Sequence, residues 1–326
     1  MTSAPTALRL RLTPGLQGLD VQITPPVELP LAALLRGKDP ETAASLVGRL
    51  FNICGAAQEA AARSALGLAL DSALEKRVVT ETLREHGVKL FLLWPGLLGI
   101  EPDRAAATLL ARALDNETMV ATLRVSLFGP KGILPEDWSA FERWIDSTGS
   151  APARCMKAVR DGWNPAWGRA DLPSRLPLAG SWPGSPDLAP LRDNGVGGRL
   201  SGHPLMVAIA DRLGRGVLWR MTARLVEMEC LLSGTAPSPF RAPGVVEAAR
   251  GTLFTRAKMD DAGRVANLER LTPTDFALAP GGALELALSS LPCNAPNLEA
   301  LARLAVDVID PCFAVELTVE GAPRHA

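Results

Sequence analysis

Few residues in this chain are of types that do chemistry at neutral pH. There are five cysteines, at 54, 155, 230, 293 and 312, three histidines, at 86, 203 and 325, and no tyrosine. So few groups titrating near neutrality argue against a general acid–base enzyme. The cysteines are odd in number and no two are spaced Cys-x-x-Cys, so neither a disulfide framework nor a zinc ribbon is expected. Cys54 stands out because it directly precedes Gly55 and the predicted start of a helix. A thiol there feels the partial positive charge of the helix terminus, which favours thiolate, the species that binds metal. Cys312 sits in a tight Asp310-Pro311-Cys312 bend. Cys155, Cys230 and Cys293 read as packed thiols. His86 and His203 read as structural, and His325 lies in the tail.

The elements that must position Cys54 and Cys312 follow from hydrophobic periodicity. Residues 8–13 and 19–24 alternate strictly across Pro14-Gly15 and Gly18, predicting a two-stranded hairpin. Asp39-Pro40 opens a helix to about Leu50, with Asp39 as N-cap and Pro40 in the first turn. A second helical stretch runs from Ala56 to Leu74, and helical periodicity continues from Lys76 to about Trp144. Residues 150–202, rich in Pro, Gly and Trp, read as a long irregular segment. Its Trp163, Trp167 and Trp182 suit either a partner-binding surface or a loop pinned to the core. Residues 203–234 are helical. A second hairpin pairs 251–259 with 264–271 across Asp260-Asp261-Ala262-Gly263. A last helix runs from Pro296 to Ile309, and Pro311 cannot continue it. The architecture is mostly α (α+β), a helical core with small β-hairpins near the N-terminus and at about 250–271. It is read as one domain spanning residues 1–326.

Composition narrows the class of function. The chain has 326 residues, 47% hydrophobic, with 34 Lys+Arg against 35 Asp+Glu, which gives the apolar content of a folded protein and no electrostatic footprint for nucleic acid or an anionic membrane. Its longest apolar run, Val88 to Ile100, is broken by Pro95 and Gly96, so no membrane span is expected. The first residues lack an apolar signal core, and a cytoplasmic location is expected.

A family resemblance becomes visible at the two cysteines. Gly37-Lys38-Asp39-Pro40 followed by Arg49 to Gln58 resembles the N-terminal motif of [NiFe] hydrogenase large subunits, Arg-x-Cys-Gly-x-Cys-x-x-x-His. Asp310-Pro311-Cys312-Phe313-Ala314-Val315 resembles their C-terminal Asp-Pro-Cys-x-x-Cys-x-x-His. Between them, Glu247 to Gly251 resembles Glu-Ala-Pro-Arg-Gly, and Thr272 to Phe276 resembles the Pro-Ser/Thr-Thr-Trp segment. The four matches come in the family's order.

The departures are as informative. Each large-subunit pair supplies a terminal nickel ligand and then a cysteine bridging nickel and iron. Here the positions read Phe51 then Cys54, and Cys312 then Val315, while the family histidines correspond to Gln58 and Thr318. No nickel and no hydrogenase catalysis are therefore expected. The positions that in large subunits hydrogen-bond the iron's cyanides correspond by this resemblance to Arg250 and Thr274, and both keep their donors. Nothing after Thr318 resembles a cleavable His-x tail. The pattern resembles the HupK/HoxV group of hydrogenase accessory proteins. That resemblance implies a non-catalytic scaffold that carries an Fe(CN)2(CO) unit on Cys54 and Cys312, with Arg250 and Thr274 at the cyanides. The implied partners are a HypC-type chaperone, the hydrogenase large subunit and other Hyp maturation proteins. The alternative is a metal-free large-subunit mimic that binds the maturation chaperones.

Overall fold

The alternating N-terminal segment forms β1 (Leu8–Gly15), which buries Leu8, Leu10 and Leu12 and exposes Arg9 and Arg11. In this computed structural model, which describes residues 7–15, 18–112, 114, 116–174, 182–183 and 192–320, β1 pairs antiparallel with β2 (Gly18–Thr24), as expected. Its other edge takes a strand absent from the sequence reading. The last strand, Val315–Val319, lies parallel to β1 with Leu8 opposite Val315 and Leu10 opposite Leu317. Arg9–Glu316 (2.9 Å) and Arg11–Glu320 (2.8 Å) ion pairs run along this seam. Parallel strands need a crossover connection, and here nearly the whole chain supplies it.

Helix Pro40–Leu50 starts where expected, with the Asp39 carboxylate accepting from Thr42 N–H at 2.9 Å. Helix Gly55–Ala65 follows and buries Ala56, Ala57, Ala60, Ala61 and Ala62. These small side chains let it lie close to its neighbour; a Cβ on Gly55 would sit 2.8 Å from the Gly48 carbonyl oxygen. The stretch expected to run to Leu74 stops at Ala65. Gly67 takes a φ of +72°, and Asp71 caps a separate helix, Ser72–Val88. A π-helical turn at Lys89–Leu93 joins that helix to Trp94–Leu97.

At the centre stands helix Val217–Ser233, buried on nearly every side, including the side chains of Arg220 and Arg224. Helices Ser72–Val88, Glu117–Phe128, Ala151–Gly162, Pro204–Leu213 and Leu298–Ile309 pack on it. The expected irregularity of 150–202 is overturned at both ends. Ala151–Gly162 is a helix with Ser150 as N-cap and Pro152 in its first turn, and it sends Cys155, Met156 and Val159 into the core. Proline is tolerated there because first-turn N–H groups lack helical acceptors in any case. Val196–Leu200 is a short helix. Trp163 and Trp167 meet edge to face at 6.5 Å and pack against the core, and Arg256 lies 4.3 Å from the Trp182 ring. Residues 175–181 and 184–191, with the prolines there, and His325 fall outside the described residues.

The second sheet is antiparallel in the order β3 (Phe240–Ala242), β4 (Val245–Ala248), β5 (Gly251–Met259), β6 (Val265–Leu271); the last strand, Val315–Val319, is β7. The β5–β6 hairpin turns as its sequence predicts, with Asp260 accepting from Ala262 and Arg264 N–H groups. Helix Leu298–Ile309 ends at Asp310, whose φ is +65°. Among the described residues the fold is thus mainly helical with two small sheets. Among the described residues no helix is long and apolar enough to cross a membrane.

Candidate functional site

Both motif cysteines sit where the chain leaves regular structure. Cys54 is the N-cap of helix Gly55–Ala65, in the left-handed conformation with φ +56°. Cys312 follows the left-handed Asp310, so the two non-glycine residues with positive φ among the described residues flank the site. Backbone strain of this kind persists only where surrounding structure over-determines it.

The four residues singled out in the sequence converge. Cys54, Arg250, Thr274 and Cys312 line one cavity of about 240 Å³, together with Phe51, Gln58 and Arg270. Arg250 Nη1 donates to Cys54 Sγ at 3.4 Å. Its Nη2 lies 3.1 Å from Glu85 and 3.2 Å from Asp310, and its buried Nε has no hydrogen-bond partner among the described residues. The buried Thr274 hydroxyl accepts from Cys312 N–H at 3.0 Å. The cap of helix Pro273–Leu278 is Thr272, closed into a capping box with Asp275, so Thr274 is not needed as a cap. An adjoining open groove, lined by Ile53, Leu97, Pro311 and Phe313, shares Arg250 with the cavity. Val315 lines that groove and Thr318 is exposed on β7.

The expected electrostatics of Cys54 need correction. Burial pushes its thiol up to about 12, Arg250 opposes this, and the Glu81 charge adds to it. The helix terminus does not offset burial because Glu81 takes its N–H groups, accepting from Ala56 at 2.9 Å and Ala57 at 3.3 Å. Burial also raises the Cys312 thiol, against Thr274, Arg270 and Arg250. Both cysteines are therefore thiols at neutral pH, and a metal that binds them must displace protons. Among the described residues no three His, Cys, Asp or Glu side chains are grouped to hold a metal ion.

Other positioning residues left no local signal. Asn194 donates from its side chain to the Thr252 carbonyl at 3.0 Å and accepts from Thr252 N–H at 3.2 Å, clamping the segment that carries Arg250. Asp310 is the hub of the buried charges, 3.1 Å from Lys89, 3.3 Å from Arg224 and 3.2 Å from Arg250. His86, buried beside the site, lies 2.6 Å from Glu227, which also pairs with Arg199. His203 Nδ1 accepts from Leu205 N–H at a helix start.

This charge network predicts stability that falls with acid in two stages. Burial holds His86 below its usual value, so it stays neutral while the unfolded chain takes up a proton; stability declines as pH drops below about 6.5. Burial alone would raise Asp310 and Glu227. Lys89, Arg250 and Arg224 hold Asp310 at about 2, and Arg199 and His86 hold Glu227 at about 2. Their contribution, about 2 kcal/mol for Asp310, is complete above their unfolded values and lost as pH falls from about 4.5 to about 2. Denaturant midpoints measured from pH 8 to 3 check both stages; a flat profile contradicts them.

No protein-family model matches the chain. It is 37% identical over 322 residues to the hydrogenase expression/formation protein HupK of Rhodobacter capsulatus, covering 95% of this chain and 97% of that one. It is 27% identical to the hydrogenase expression/formation protein HoxV of Cupriavidus necator, covering 89% of this chain and 90% of that one. Its fold matches an NAD+-reducing [NiFe] hydrogenase in the H2-reduced state with a TM-score of 0.58 at 15% identity, over 91% of this chain and 93% of that one. It matches the reduced Ni-Fe-Se hydrogenase of D. vulgaris Hildenborough with a TM-score of 0.59 at 13% identity, over 91% and 94%. These neighbours are large subunits, and likeness at such identity shows the fold alone. With 37% identity along nearly the full length of both chains, on a hydrogenase large-subunit fold, the chain belongs to the HupK/HoxV family of hydrogenase expression/formation proteins.

Proposed function

We propose that this maturation protein transiently carries an Fe(CN)2(CO) unit and passes it to the hydrogenase large subunit. The observation that carries the reading is the convergence of Cys54, Cys312, Arg250 and Thr274 on one cavity from segments far apart in sequence. The cargo fits this donor set. Thiolates are soft ligands suited to iron. The unpaired Nε of Arg250 and the Thr274 hydroxyl are the donors that cyanides seated here would satisfy. Phe51 and Val315 offer nickel nothing. Two thiol ligands, each of which must give up a proton on binding and can regain it, hold the unit exchangeably, as a relay requires. A HypC-type chaperone is the proposed donor, the large subunit the proposed recipient, with other Hyp proteins in attendance, and the chain itself catalyses no hydrogen chemistry.

Infrared spectroscopy on protein purified anaerobically beside its maturation partners tests this. Cyanide and carbonyl bands are expected in the wild type and lost in Cys54→Ala. The high thiol value of Cys54 favours the alternative, a metal-free large-subunit mimic that binds the chaperones. Absence of bands in wild type that still co-purifies with those chaperones would establish the mimic and sink the carrier.

A further inference from the structure

The position where large subunits place a terminal nickel cysteine is Phe51, and its ring is not bare. The Arg270 guanidinium lies 4.0 Å from the Phe51 ring centroid. Arg270 comes from the end of β6 and shares the cavity wall with Cys54 and Cys312. Among the described residues it makes no hydrogen bond and no ion pair, and the carboxylates whose charge reaches it are those of Asp275 and Glu28. The contrast with Arg250 is sharp. Arg250 is already engaged by Glu85, Asp310 and Cys54. Arg270 brings a planar set of N–H donors, stacked and held in place by an aromatic face, with none of them spent. Arg270 is half-buried and none of its nitrogens is sealed from solvent, so these donors remain open to an anion.

The seat is therefore filled twice, by a phenyl ring that cannot coordinate and by a fixed positive charge. Ferrous iron with two cyanides is neutral, and each thiolate that joins it adds a negative charge. A cavity that receives this unit without nickel is helped by a cation not tied up in an ion pair, and Arg270 is placed to supply one. We propose that Arg270, stacked on Phe51, is the anion-recognising residue of the cavity and takes over the charge role of the missing nickel toward a cyanide-bearing cargo. This rests on the carrier reading for the identity of the cargo, but not for the existence of the anion site.

Two measurements separate the claims. In metal-free protein, the linear anion thiocyanate is titrated by calorimetry or by its infrared stretch. Wild type is expected to bind it, Arg270→Gln at least tenfold more weakly, and Arg270→Lys close to wild type. In protein purified with its maturation partners, Arg270→Gln is expected to shift the cyanide stretches and reduce their intensity relative to protein, with Arg270→Lys intermediate. A wild type that ignores thiocyanate, or Arg270→Gln that binds it equally well, overturns the anion site. Cyanide bands unchanged in frequency and intensity by Arg270→Gln overturn its contact with the cargo. No bands in any form, with thiocyanate binding still lost in Arg270→Gln, would leave the anion site standing and remove the carrier reading alone. Circular dichroism melts of all three proteins show whether each variant is folded.

Discussion

Asp310→Asn is expected to destabilise the protein by about 3–5 kcal/mol, the cost of breaking a buried ion pair by removing one partner. In a chain of this length the melting temperature should fall by about 5 °C. Asparagine keeps the shape and tolerates the left-handed conformation that residue 310 adopts, so the change isolates the charge. Three cations depend on that charge unequally. Lys89 keeps Asp307 at 3.0 Å, and Arg250 keeps Glu85. Among the described residues Arg224 keeps the Val308 carbonyl at 2.8 Å and the Trp94 ring but no carboxylate in direct contact. Arg224 should thus bear most of the penalty, and Arg224→Met added to Asp310→Asn should recover part of it. Thermal and urea unfolding at pH 7 measure both. A loss below 1 kcal/mol would mean that the cations relax toward water more readily than their burial implies.

Gly251→Ala is expected to be at least as damaging, on the order of 4 kcal/mol or failure to fold. Gly251 has φ +140°, and a Cβ there would lie 1.8 Å from the Asn194 carbonyl oxygen. Asn194 cannot step aside, because its side chain is bonded twice to the Thr252 backbone. Any movement that admits the methyl group displaces Arg250, the preceding residue. Gly263→Ala is the control: its φ is +70°, with nothing within 4 Å of the added atom, so about 1 kcal/mol of conformational strain is all it should cost. Expression yield and melting temperature for the two variants check the contrast, and near-equal effects would remove the clamp from the account.

What the sequence disclosed was mostly local. The Asp39 cap, the Asp260–Gly263 turn and the alternation of Leu8, Leu10 and Leu12 each depend on neighbours a few positions away, and each appears as expected. The four candidate residues that meet in the cavity were legible through motif order, since Cys54, Arg250, Thr274 and Cys312 keep their places in a known succession. What stayed hidden depends on distant partners. Nothing about Glu81 announces that it will occupy a helix terminus 25 positions away and silence its effect on Cys54. Arg270 reads as one more polar residue of a hairpin until Phe51 is placed beneath it. Ala151–Gly162 was obscured by surrounding prolines, although Pro152 sits where a helix accepts one. The alternation of exposed and half-buried residues in β7 is too short to announce a parallel partner some 300 residues earlier.

The β1–β7 seam sets an order of events. One thiol belongs to the first sixth of the chain, while its companion lies just before the strand that zips onto β1. A ribosome still at work has therefore released Cys54 long before Cys312 exists, so the cavity wall is incomplete until then. Closing so large a loop is also among the slower steps available to a folding chain. Translation order thus delays completion of this cavity until the segment that carries Cys312 and β7 has been made.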